Sequence, residues 1–159
     1  MKKLKNNYYN KHGILKPSGF WYSIGSQWLD FKLNTKWNNN GISKKGTEYH
    51  LKSPLTMYKI KFYNKKYTSL PDDEKVLLVD TCDKLVKFNK NYSKTGNSIF
   101  IDWEKVSQDY AGIEFRNYSR IKKELIKKKL DILWYSAIDV DSGCVWKPSK
   151  VIKTIDKMT

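Results

Sequence analysis

The sequence predicts an α+β fold in one domain, and three observations lead there. Short stretches of strand character, residues 20–24, 76–79 and 110–115 among them, are interspersed with capped, amphipathic helix patterns. Forty per cent apolar residues with 14 per cent aromatics can fill a core, and 159 residues suffice for one without staples. No internal repeat and no linker divides the chain, so residues 1–159 read as a single domain.

Residues 2–10 carry Tyr8 and Tyr9 and read as a short strand that Asn6 and Asn7 weaken. Gly13 and Pro17 interrupt regular structure, and a strand over 20–24 follows. Ser26 is the N-cap of a helix over 27–33 with Trp28, Leu29 and Phe31 on its apolar side. After the polar loop 38–46, residues 48–52 and 55–63 read as strands, and Pro71, Asp72 and Asp73 mark a turn. The continuous apolar run 76–79 has the character of a buried central strand.

Asp80 or Thr81 caps a helix over 82–91 whose Cys82, Leu85, Val86 and Phe88 face inward, and Asp102 opens a helix over 103–109. In the strand 110–115, period-two alternation puts Ile113 and Phe115 on one face and Glu114 on the other. A carboxylate there must be solvated by a cleft, paired or protonated. Ser119 is expected to cap the basic helix 120–130, with Ile121 and Leu125 inward and Lys122, Lys123, Lys127, Lys128 and Lys129 outward. Residues 132–138 and 144–146 are expected as strands joined by a turn over 139–143, with an edge strand over 151–155.

Several chemistries lack their parts. No run approaches the roughly 18 apolar residues of a membrane span, so no membrane partner is expected and the chain should stay in the cytoplasm where it is made. Cys82 and Cys144 stand far apart, and His12 and His50 are the only histidines, so neither a disulfide framework nor a metal site is indicated. Asp139 and Asp141 beside Ser142 and Gly143 read as turn formers before they read as cation ligands. Phosphate-loop, dinucleotide and nucleophile-elbow patterns are missing. The net charge of +15 has two readings, a polyanionic partner or a lysine-rich composition spread over every segment, with Arg116 and Arg120 the only arginines.

What remains is the aromatic strand and the strand bearing Glu114. Gly19, Phe20, Trp21, Tyr22 and Ser23, followed by Ser26 and Trp28, resemble the second core strand of ADP-ribosyltransferases of the poly-ADP-ribose-polymerase and diphtheria-toxin type. Tyr110, Ala111, Gly112, Ile113 and Glu114 resemble the later strand of that family, and the stretch from Cys144 to Ile152 is similar to its closing strand. Together with Trp134, Tyr135, Ser142, Gly143 and Cys144, the pattern also resembles a group of small phage proteins.

The resemblance implies a split, mostly antiparallel β-sheet core with flanking helices that grips NAD. Glu114 would be the catalytic carboxylate, holding the ribose hydroxyls and steadying an oxocarbenium-like transition state. Trp21, Tyr22, Ser23 and Trp28, with Tyr9 ahead of them, would bind the cofactor. The family's first motif, a His or Arg on an earlier strand, has no good match before Gly19, so the first grip on NAD is expected to be altered or lost. Gly112 stands where arginine-modifying toxins carry a second Gln or Glu.

Three functions compete. The chain is an enzyme that moves ADP-ribose from NAD to a host protein or nucleic acid. Or it is a non-catalytic module that binds a nucleotide or single-stranded nucleic acid by stacking on Trp21, Tyr22 and Trp28. Or it blocks a host factor through Lys123, Lys127 and Lys128 of its basic helix.

Overall fold

The computed structural model describes residues 15–28, 42–45, 48–51, 57–94 and 98–158. Their strands and helices run in the order β1 (Phe20–Ser23), β2 (Ile42–Lys45), β3 (Glu48–Leu51), β4 (Tyr58–Phe62), β5 (Val76–Val79), α1 (Cys82–Tyr92), α2 (Trp103–Asp109), β6 (Gly112–Phe115), α3 (Tyr118–Lys127), β7 (Ser142–Val145), α4 (Pro148–Val151) and β8 (Ile152–Lys157). The expected strand over 2–10, the helix beyond Trp28 and the first residues expected of the strand before Tyr63 lie outside the described residues.

The central sheet has the order β1-β7-β6-β5, in which only β5 and β6 run parallel. That parallel pair needs a crossover, and α1 and α2 supply it. β4 pairs antiparallel with β8 in a second sheet of two strands, and β2 with β3 in a third. The result is an α+β fold with a mixed four-stranded sheet and flanking helices.

Alternation divides the core in two. Leu77, Val79, Ile113, Phe115, Cys144 and Trp21 belong to one packed cluster with α1, α2 and α3. Tyr22, Val76 and Val145 point to the other face, where Phe62, Ile60, Ile152 and Ile155 of the β4–β8 ribbon cover them. The continuous apolar run of β5 arises from this two-sided cover. It is not a central strand as its sequence suggests, because it lies at the sheet's edge with Leu77 and Leu78 half-buried.

Of the two candidate caps for α1 it is Thr81 that accepts from the Lys84 amide, and Asp102 caps α2 by accepting from the Lys105 amide, as the sequence predicts. Val86 is a correction: at 37% exposure it sits at the rim, leaving Cys82, Leu85 and Phe88 to face the core. The cap of α3 is another. The helix starts at Tyr118, before Ser119, and Asn117 ahead of it is left-handed at φ 56°. Asp141 takes over from across the fold, its carboxylate accepting from the amides of Asn117 (3.2 Å) and Tyr118 (2.9 Å).

Residues 133–137 form a 3-10 turn, Leu133–Ala137, where the sequence suggests a strand. Trp134 and Tyr135 are adjacent and both fully buried, and a strand's alternation would send them to opposite faces. The turn sends both into the helical layer, Trp134 against Phe88, Trp103 and Phe115, and Tyr135 against Phe115 and Tyr118.

Candidate functional site

One line of register crosses the sheet through Tyr22, Gly143, Glu114 and Leu78, one residue from each strand. All four therefore share the face that looks toward the β4–β8 ribbon. Tyr22 lies two strands from Glu114, yet its hydroxyl donates to Glu114 Oε1 at 2.7 Å. Gly143 makes this reach possible, since a Cβ at that position would fall on the Tyr22 ring.

The turn after β4 closes over the carboxylate. Lys66 Nζ donates to the same oxygen as Tyr22, and the Tyr67 hydroxyl donates to Oε2. Arg116, two residues along the chain from Glu114, adds an Nε contact to Oε2 at 2.9 Å. Glu114 has 0% exposure, so its charge rests on these four donors. Lys66 in turn sits among rings, its ammonium 3.6 Å from the Phe62 centroid, 4.9 Å from Tyr22 and 5.0 Å from Tyr67.

Burial alone would raise the Glu114 carboxyl, but hydrogen bonds from Lys66, Tyr67 and Tyr22 outweigh it and hold the group below its ordinary value, ionised. Burial lowers the Lys66 ammonium while Glu114 pulls the other way. Burial and the bond to Glu114 push the Tyr67 phenol up to about 12, and Tyr22 is raised further by the same causes, so both remain donors.

The other residues expected to bind cofactor divide between the two faces. Lys16, Trp21, Tyr22, Ser23 and Trp28 line an open hollow of about 520 Å³ at the sheet's β1 edge. Lys16 Nζ lies 5.4 Å from the Trp21 ring and 5.0 Å from that of Trp28. Trp21 is anchored by an Nε1 bond to the Pro17 carbonyl, and Ser23 Oγ accepts from the Trp28 amide. Trp21 packs with the helical layer and only Tyr22 turns to Glu114. Tyr9 lies outside the described residues.

Lys123 and Lys127 are exposed on α3, and Lys128 follows it with its ammonium 3.9 Å from Glu124. Since α3 packs through Ile121 and Leu125 on the helical side, this basic face and Glu114 lie on opposite sides of the sheet. Asp139 is 3.9 Å from Lys16, and Asp141 is the α3 cap. Among the described residues no group of acidic, His or Cys side chains could hold a metal ion, and no helix is long and apolar enough to cross a membrane.

Sequence reasoning missed Lys66, Tyr67 and Arg116. Arg116 carried a readable signal, as one of two arginines and two positions from Glu114, where strand alternation returns to the same face. Lys66 and Tyr67 carried none, because a lysine-rich turn gives no pattern that says where it folds. Comparison with protein-family models, with curated proteins and with solved structures finds no match to this chain.

Proposed function

We propose that the domain binds NAD and transfers its ADP-ribose to an acceptor in a host cell, protein or nucleic acid, with Glu114 as the carboxylate that faces the reacting ribose. The observation that carries this reading is the bond from Tyr22 to Glu114 across Gly143, which joins the aromatic strand to an ionised, desolvated carboxylate. Fixed negative charge in a water-poor site is what a developing oxocarbenium ion needs beside it.

The residues fit the cofactor in part. Two indoles and an ammonium around an open hollow suit a flat base and a phosphate. When bound, NAD supplies a ribose carbon that parts from nicotinamide. Glu114 is covered, and the cover is uneven: Tyr22 and Arg116 come from or adjoin the sheet, whereas Lys66 and Tyr67 come from the turn after β4. Withdrawal of that turn would free both carboxylate oxygens in part while the other two donors keep the group in place.

Label transfer from radiolabelled NAD into a host lysate tests the reading. Wild-type protein should transfer label, and Glu114→Gln should lose about 10²-fold or more, while Tyr67→Phe, which removes one covering bond, should retain or raise it. Absence of transfer by folded wild-type protein, or transfer that ignores Glu114→Gln, overturns it.

A second reading is favoured by the complete burial of Glu114, both oxygens of which are occupied. In it the network is structural, and the hollow at Trp21 and Trp28 binds a nucleotide or single strand without chemistry. It predicts oligonucleotide affinity that falls steeply with salt, is weakened by Trp21→Ala and is indifferent to Tyr67→Phe.

A further inference from the structure

The outer edge of β5 is a second place where the fold leaves something unfinished. In the parallel pair, Val79 gives its carbonyl to the Arg116 amide, while Val76 turns its amide away from β6 to the Lys66 carbonyl. The alternation that does this also turns the amide and carbonyl of Leu78 outward, where no backbone partner meets them among the described residues. Beside this edge runs a groove of about 440 Å³. Half-buried Leu77 lies on its α1 side and half-buried Leu78 on the opposite, ribbon side of the edge, and its wall is the face of α1 that carries Lys84, Lys87 and Asn91 at helical spacing.

The groove's charge has one sign. Lys75, Lys84 and Lys87 line it and no acidic side chain does. Lys75 and Lys84 reach Asp72 (3.0 Å) and Asp80 (2.8 Å), while Lys87 is exposed with no acidic partner among the described residues. The open edge at Leu78 calls for an extended backbone, and lysines on the α1 face with Leu78 on the other call for alternating acidic and apolar side chains on it.

We propose that the β5 edge and the lysine stripe of α1 form a docking groove for an extended acidic segment of a partner protein, which adds as a strand beside β5. Backbone pairing at Leu78 supplies the grip. Alternate side chains of the segment meet Lys84 and Lys87 on the α1 face and lie beside Leu78 on the other. Tyr67 both lines the groove and donates to Glu114, but the grip proposed at Leu78, Lys84 and Lys87 uses neither residue.

A fluorescent peptide alternating glutamate and valine, titrated into the full chain and read by anisotropy, tests this. It should bind saturably, and Lys87→Glu, an exposed change that leaves the fold intact, should weaken it about tenfold or more. The same peptide with alternate amides N-methylated should lose binding to a similar degree, and a lysine-valine peptide should not bind. The proposal is overturned by absent or non-saturable binding, by an N-methylated peptide that binds as well, or by indifference to Lys87→Glu. Displacement of the peptide by a single-stranded oligonucleotide at equal concentration would assign the groove to nucleic acid. A dimer in sedimentation that the peptide dissociates would assign it to a second copy of the chain.

Discussion

Glu114 is a charge with no exposure, and its cost is offset only while its donors stay in place. Glu114→Ala would leave Lys66 buried without its carboxylate, so urea unfolding should show a loss of about 3–5 kcal/mol. The pH dependence follows from direction. The folded carboxyl titrates below its ordinary 4.5, so in acid the unfolded chain binds more protons. The stabilisation is complete above the unfolded value and disappears as pH falls through the folded one. Between about pH 7 and about pH 3, the unfolding midpoint of wild type should fall further than that of Glu114→Gln.

Gly143→Ala would push the Tyr22 ring off its path and cost about 1–3 kcal/mol. A double-mutant cycle with Tyr22→Leu should show the two changes strongly non-additive, and additive losses would contradict the shared path. The sequence placed Glu114 on the face opposite Ile113 and Phe115, because strand alternation is local. It could not show that Tyr22 reaches it, since that depends on which strand lies between and on a missing Cβ there.

At the scale of elements, helices 82–92 and 103–109 were legible to within a residue, since a capping oxygen and an apolar stripe are written side by side. α3 was legible in its stripe but not in its start. Its cap is Asp141, which the sequence places in a turn 24 residues from Asn117. Asp141→Ala should therefore destabilise the protein by about 1 kcal/mol, while Ser119→Ala should cost under about 0.5 kcal/mol. Thermal melts of the two variants check the assignment. The stretch from Leu133 to Ala137 misread as a strand for a related reason, because Trp134 and Tyr135 satisfy the core by a turn that no periodicity announces.

Across the whole molecule, the sheet separates two surfaces. The lysines of α3 stand beyond the helical layer, and Glu114 lies under the β4–β8 ribbon. Reversing Lys123, Lys127 and Lys128 to Glu should leave any Glu114-dependent label transfer to a small acceptor unchanged. If the +15 charge serves a polyanion through α3, the same triple variant should lower the salt slope of oligonucleotide binding by about two to three. An unchanged slope would place the polyanion elsewhere or remove it. An α+β chain with flanking helices was legible in the sequence. Its β5 edge was not, because a run buried from two faces reads the same whether or not it has neighbours on both sides.

The order β1-β7-β6-β5 has a consequence for synthesis. The first strand of the sheet must wait for β7, the last to be made, before its tyrosine can reach a carboxylate 92 residues further along the chain. At about 5–20 residues per second, several seconds or more pass on the ribosome with Tyr22 made and its destination unmade. A nascent chain arrested before residue 142 can close β5 on β6 and pack its helices, yet Glu114 there lacks the strand that Tyr22 must cross. The buried charge is thus among the last features of the protein to be secured during translation, and a stalled or truncated product should betray itself by a tyrosine still open to solvent.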